Sequence, residues 1–329
     1  MSRGRGSAAG ISTAHDSGPR NVAQRAVTLR GMHIELFGFD TSPARFEASI
    51  RNAAEQGFRR YWTPQIFGHD ALTTIAVAGR DVPDIRMGTA VVPTYPRHPM
   101  MLAQQALTTQ AVVGGRLDLG IGPSHKPVVE GMWGYSFDRP IAHMRDYLTI
   151  LTRLLTDRRV SHGGDAVVGR GEITPPAADA PPVFVAALGS QMLRLTGRMA
   201  DGTFTWMTGP ATLRDHTTPT ISEAAAEAGR AAPQVVAGFP VCVTDDADTA
   251  RARAAKDLVV YGTLPSYRAM LDREGLNGPE DIAIIGSATE VADRISALAD
   301  CGVTSFSGSA FGTLDEQADT RETLISLLS

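Results

Sequence analysis

At 329 residues, with 43% hydrophobic and 20% charged side chains, the chain can bury one large core or two modest ones, and an α/β barrel of roughly 250 to 300 residues would account for it as one domain. Lys and Arg number 31 against 35 Asp and Glu, for a net charge of −4, so no positive excess exists to draw nucleic acid or an anionic membrane. Cys242 and Cys301 lie far apart with no CxxC or Cys/His cluster, which excludes a disulfide framework and a zinc site and leaves two small apolar side chains for the interior. No apolar run approaches the roughly 18 residues of a membrane span, and no signal-peptide core follows the N-terminal arginines, so a cytoplasmic protein is expected.

Residues 1–31 scatter five arginines among Gly, Ser and Ala, with Asp16 as the only acid. With little to pack, this stretch reads as a mobile extension or a misassigned start. From Met32 the texture changes. Apolar runs at Met32–Phe37, Arg59–Trp62, Ile85–Val92 and Leu117–Ile121 alternate with helical patterns at Ser42–Gln56, His69–Gly79, Pro99–Val113 and Pro140–Leu155, four βα units in a row. Gly57, Gly115 and Gly302 stand at helix exits, where a left-handed cap suits glycine. Between Asp157 and Pro182 the rhythm breaks into Gly- and Pro-rich sequence, read as a hairpin over the barrel rim because the βα pattern then resumes. Runs at Val183–Ala187, Thr203–Trp206, Val235–Val243 and Val303–Phe306 follow, separated by helices near Ser190–Ala200, Ala211–Ala228, Asp245–Val260 and Ala288–Ala299, with a last one near Glu316–Leu328. Eight strand-then-helix units point to a (β/α)₈ TIM barrel, ahead of an open doubly wound sheet.

In a barrel, chemistry is expected at strand carboxyl ends. Strand 4 ends Leu119-Gly-Ile-Gly-Pro-Ser-His125, where Gly120 and Gly122 admit close approach of a planar ligand. The spacing lacks the third glycine of the dinucleotide fingerprint. His125 is either a proton donor or a rim histidine hydrogen-bonded to its own loop. After strand 5, Ser190 begins a helix whose free amides suit a phosphate or carboxylate, unless Ser190 only caps that helix. Gly88 inside strand 3 marks a bulge, a close approach or plain packing. Phe37, Phe39, Trp62, Trp133 and Trp206 are pocket walls or core. No Ser–His–Asp elbow, Walker lysine or HExxH is present, which sets aside hydrolysis by those devices.

Several blocks in order resemble the luciferase-like monooxygenase superfamily, and within it the actinobacterial branch of coenzyme F420-dependent oxidoreductases. They are Gly57-Phe58 with Tyr61–Phe67, Met87–Pro99, Leu119–His125, Val129–Gly134 with Asp138-Arg-Pro140, and Ala186–Ser190 with Ala200-Asp-Gly202. The resemblance spans Met32 to the C-terminus and implies a (β/α)₈ barrel with insertions, the flavin-like ring resting against a non-prolyl cis peptide at Ala90–Val91. It further implies the cofactor phosphate at Leu188-Gly189-Ser190, Gly120, Gly122 and Gln65 beside the ring, and a homodimer or larger assembly. Some members carry a carboxylate where this chain has His125, proposed to protonate the deazaflavin. Members with an acid–histidine pair after strand 2 find only Gln65-Ile66 here, which disfavours sugar-phosphate dehydrogenation.

The expected activity is therefore hydride transfer between coenzyme F420 and a small organic substrate, as reduction of an activated C=C or C=N bond, since no strong base for alcohol oxidation is evident. An FMN-dependent monooxygenase using reduced flavin and oxygen, and a non-catalytic flavin-binding protein, are the alternatives.

Overall fold

The structure is a computed structural model and describes residues 29 and 31–328. In chain order the first half runs β1 (His33–Phe37), α1 (Pro43–Glu55), β2 (Arg60–Thr63), α2 (Ala71–Gly79), β3 (Arg86–Thr89), β4 (Val92–Pro93), α3 (Pro99–Val112), β5 (Leu117–Gly122), α4 (Lys126–Gly131) and α5 (Pro140–Asp157). There follow β6 (Arg159–Gly163), β7 (Val168–Glu172), β8 (Val183–Val185), α6 (Ser190–Met199), β9 (Gly202–Trp206), α7 (Pro210–Thr212), α8 (Thr218–Glu227) and β10 (Gln234–Val243). The chain ends with α9 (Ala247–Asp257), α10 (Val259–Thr263), α11 (Pro265–Glu274), β11 (Ile284–Gly286), α12 (Ala288–Ala297), β12 (Ser305–Ala310) and α13 (Leu314–Ser326).

The parallel strands close in the order β1, β2, β3, β5, β8, β9, β10, β12 and back to β1. All eight coincide with the apolar runs of the sequence, and the ring they form is the TIM barrel expected. The Gly-rich excursion is an antiparallel hairpin of β6 and β7. Positive φ at Gly57, Gly115 and Gly302 bears out the three helix exits. Helix starts follow local chemistry: Ser42 and Asp70 accept from the amides of Arg45 and Thr73, and Ser287 and Thr313 form capping boxes with Glu290 and Glu316.

Four features differ from the sequence reading. The helix expected over Ala211–Ala228 contains a π-helical turn at Leu213–Thr217. The one expected over Asp245–Val260 is broken at Leu258, and α10 and α11 continue beyond it. β11, three residues long, adds to the outer end of β10. The unpacked segment expected over 1–31 lies mostly outside the described residues, but Leu29 is buried and belongs to the core, so packing begins before Met32.

Side chains alternate inward and outward along barrel strands, and register assigns the inward ones to layers. The amino end holds an ion network. Arg60 pairs with Glu35 and with Asp118, each at 2.8 Å, and Arg86 grips Asp118 from the other side at 2.7 Å. In the middle layer the indole N–H of Trp62 donates to Glu35 Oε2 at 2.6 Å, and the ring packs edge-on against Phe184. Burial raises the Glu35 carboxyl, and the adjacent Arg60 guanidinium opposes that shift. Trp62 is thus core, not a pocket wall. A Cβ at Gly88 would lie 2.1 Å from its ring, which gives that glycine a packing role. Cys242 and Cys301 are buried free thiols. Among the described residues no helix is long and apolar enough to cross a membrane.

Candidate active site

The carboxyl rim of the barrel divides into two unlike halves. On one side, β3, β5 and β8 end in small residues, Ala90, Gly122 and Ala186. On the other, β1 and β9 deliver Phe37 and Trp206, whose rings meet at 4.9 Å. Phe39 joins them, 4.7 Å from Phe37 and 5.9 Å from Trp206.

The first half is shaped by a bulge. Gly88 pairs with Asp118 and Val92 with Ile121, so Thr89, Ala90 and Val91 face only Leu119 and Gly120. The Ala90–Val91 peptide is cis, at the position the resemblance implied. Thr89 repairs the ladder with its side chain: Oγ1 donates to Gly120 O at 2.7 Å and accepts from Gly120 N at 2.9 Å. That exchange demands glycine. A Cβ at Gly120 would lie 1.9 Å from the Thr89 carbonyl oxygen, so this residue makes room for the protein's own backbone, one layer beneath the rim. Gly120 therefore supports the bulge. A Cβ at Gly122 would meet Val91 Cγ2 at 2.8 Å and Ala186 Cβ at 3.2 Å, which places Gly122 in the rim floor between the bulge and β8.

Beyond Gly122, Ser124 adopts φ 62, a left-handed conformation uncommon for a residue with a side chain. It turns the chain so that His125 precedes α4 with extended backbone. The His125 carbonyl accepts from Val128 and Val129, but its ring makes no hydrogen bond among the described residues. Its neighbour is Tyr267 of α11, 5.7 Å away between ring centroids. Burial lowers its pKa below the ordinary imidazole value, so the ring is neutral at pH 7. The rim histidine tied to its loop by the ring is not what the structure shows. A neutral, unpaired imidazole can offer a hydrogen bond or take a proton, and an anion beside it would restore its capacity to give one.

At β8, the N-cap of α6 is Gly189 rather than Ser190, with no side-chain cap, and Ser190 is the first helical residue. No heavy atom stands within 4 Å of where a Gly189 Cβ would be, so the chain entering α6 is uncrowded on that side, and no side chain caps the helix. His216 Nε2 meets the Leu188 carbonyl at 3.0 Å and braces this turn, with Arg194 and Arg273 near enough to influence its titration. Gln65 Oε1 accepts from Ala71 N at 3.3 Å, anchoring the β2 loop to α2. Gln65 thus lies on the rim with a structural bond already made. Trp133 follows α4 and is half-buried there, away from the Phe37–Trp206 cluster.

Four contributors escaped the sequence reading: Thr89, Tyr261, Tyr267 and Glu274. Thr89 carried no signal, because its role exists only where β3 slips against β5. Tyr261 and Tyr267, on α10 and α11, lean over the rim with rings 5.0 Å apart. Glu274 holds that segment down: its carboxylate accepts from Ala211 N and Thr212 N at the start of α7. Among the described residues, no group of three or more His, Cys, Asp and Glu could hold a metal ion.

A flat ring and a phosphate make separate demands, and the β3–β5–β8 half meets both. Ala90, Gly122 and Ala186 leave a floor without large side chains, and α6 presents uncapped amides four residues beyond β8. These residues fit a flavin or deazaflavin nucleotide-like cofactor.

Comparison with known proteins finds the same fold elsewhere. The chain is 28% identical over 244 residues to a 5,10-methylenetetrahydromethanopterin reductase of Methanolobus tindarius, covering 73% of this chain and 74% of that protein. The coenzyme F420-dependent tetrahydromethanopterin reductase of Methanopyrus kandleri superposes with a TM-score of 0.75 at 22% identity, over 91% of this chain and 98% of the other. The oxygenating constituent of the 3,6-diketocamphane monooxygenase of Pseudomonas putida, bound to FMN, gives 0.70 at 18% identity, over 90% and 96%. The family model described as luciferase-like monooxygenase matches residues 9–305, nearly the whole barrel, and the chain belongs to that family.

Proposed function

We propose that the protein is a coenzyme F420-dependent oxidoreductase that reduces an activated C=C or C=N bond of a small organic substrate. The observation that carries the reading is the pairing of the cis Ala90–Val91 bulge with the uncapped α6 N-terminus across a floor of Ala90, Gly122 and Ala186. The Methanolobus relative is a reductase, and the Methanopyrus structure names coenzyme F420, which favours the deazaflavin over FMN.

When bound, such a cofactor supplies the hydride. The chain supplies the rest. Val91 and Gly122 would border the ring's floor, and the amides of Gly189 and Ser190 would hold the phosphate. Phe37, Phe39 and Trp206 keep water from the open face. His125, neutral and without a ring hydrogen bond, is the candidate for holding or passing a proton at the rim. No carboxylate takes that position, so the acid–base role rests on an imidazole.

Side-by-side titration of the purified chain with coenzyme F420 and FMN tests the cofactor assignment. Micromolar or tighter F420 binding with FMN at least tenfold weaker is expected, and the reverse order would assign the chain to flavin-dependent monooxygenation. With F420 bound, His125→Ala is expected to keep cofactor affinity and lose turnover. Cofactor reduction without turnover across a broad substrate panel would instead indicate a binding protein.

A further inference from the structure

The aromatic half of the rim encloses a cavity of about 260 Å³ between the ends of β1, β9, β10 and β12 and the α9–α10 segment. Its walls include Phe39, Trp206, Tyr261 and Phe311, and its polar contributors include Ser309 and Asp257. Trp206 is only 9% exposed, and its buried indole N–H, with the Tyr261 hydroxyl as its nearest polar neighbour, makes no well-formed hydrogen bond among the described residues. A buried donor without a well-formed bond favours a ligand acceptor that can align with it better than the Tyr261 hydroxyl does. Neither Lys nor Arg lines the cavity, whereas Asp257 brings a negative charge to its edge.

We propose that this cavity is the substrate pocket, that it selects a compact, uncharged, largely apolar molecule with one carbonyl-type acceptor, and that Trp206 donates to that acceptor. The assignment rests on the oxidoreductase reading and sharpens it by naming the substrate class. The cavity shares Phe39 and Trp206 with the aromatic half of the rim, and the strands that line it lie across the barrel from β3, β5 and β8. Its volume lies just below the usual 300–1,000 Å³ of ligand pockets, which limits the occupant to one or two small rings. A carboxylate or phosphate on the substrate meets Asp257 and finds no cation to pair with. A carbonyl conjugated to the reducible bond is the acceptor that serves both binding and reactivity, because a hydrogen bond to its oxygen draws electron density from the double bond.

Two ten-carbon cyclic probes on a shared skeleton test this: carvone, an uncharged enone, and perillate, a carboxylate. Binding to the full chain is measured by titration calorimetry, with coenzyme F420 binding followed separately by absorbance. Carvone is expected to bind the native protein at least tenfold more tightly than perillate. Trp206→Phe, which keeps the ring and removes the donor, is expected to weaken carvone about five- to tenfold and leave F420 affinity unchanged. Asp257→Asn is expected to narrow the gap between the probes by raising perillate affinity. Equal affinity of the native protein for the two probes, or unchanged carvone binding in Trp206→Phe, overturns the pocket assignment while F420 binding leaves the cofactor reading standing. Carvone binding that depends on Trp206 in a protein that binds no F420 overturns the cofactor reading and keeps the pocket.

Discussion

Replacing Gly120 with alanine tests whether the bulge in β3 is packed as described. The new methyl would lie 1.9 Å from the Thr89 carbonyl oxygen and 3.1 Å from Val91 Cγ1. Ordinary contact needs about 3.5 Å, so backbone must move by about 1.5 Å. Thr89 cannot yield like a flexible side chain, because it pairs with Thr63 of β2 and the next amide, Ala90 N, donates to Thr63 O at 2.8 Å. Overpacking of this kind costs about 1–3 kcal/mol, and the two Thr89 hydroxyl bonds to Gly120 add about 1 kcal/mol each when displaced. The expected loss is about 3–5 kcal/mol, a large part of the stability of an ordinary domain. Gly189→Ala is the matched control, with no neighbour to strike and a cost of about 1 kcal/mol or less. Calorimetry and urea unfolding should show Gly120→Ala melting roughly 10 °C below the native protein and Gly189→Ala within a few degrees of it. Equal stability of the two variants would show that Thr89 does not press on β5.

Gly122→Val should also overpack, since even its Cβ would stand 2.8 Å from Val91 Cγ2 and 3.2 Å from Ala186 Cβ; by displacing Val91 from the floor it is expected to reduce cofactor affinity more than tenfold, as equilibrium titration would read. Asp118→Ala removes the carboxylate shared by Arg60 and Arg86, but Arg60 keeps Glu35 and the Arg86 side chain is 35% exposed, so a loss of about 2–3 kcal/mol in urea unfolding is expected, below that of a fully buried pair, with Asp118→Asn intermediate. His143 stacks on Tyr95 at 3.9 Å, and burial holds its imidazole down at about 4. Because the folded value lies below the unfolded one near 6.5, the unfolded chain binds the extra proton between those limits. Its contribution is complete above about pH 6.5 and is lost as pH falls toward 4, an effect of roughly 2 kcal/mol once partial solvent exposure is allowed for. Urea midpoints at pH 7 and pH 4.5 should differ less in His143→Gln than in the native protein.

The barrel was legible because each of its strands is an apolar run bounded by a turn residue or a helix cap, a local signal needing no knowledge of neighbours. Gly57, Gly115 and Gly302 were legible for the same reason. The ion network was not, because Glu35, Arg60 and Asp118 become neighbours only when β1, β2 and β5 take up register. Nor did the segment from Val259 to Glu274 announce itself: Pro265 interrupts the pattern, and what holds α11 down is a carboxylate reaching amides at Ala211 and Thr212, far away in sequence. β11 is too short to show an alternation. At the site, residue type and position placed Gly122 at the end of β5 and small residues at the start of α6, but not what either admits. The Thr89 carbonyl against Gly120 was not legible, because a glycine that admits a ligand and one that admits a neighbouring carbonyl look alike until the strands are paired. The cis peptide at Ala90–Val91 came from the family resemblance alone.

The most direct test of the division of labour at the rim is a crystal structure of the protein with coenzyme F420. The account expects the deazaflavin ring over Ala90–Val91 and Gly122, with the phosphate within hydrogen-bonding distance of the Gly189 and Ser190 amides and the face toward Trp206 left open. A ring seated in the Phe39–Trp206–Phe311 cavity, or a phosphate held away from α6, would contradict it.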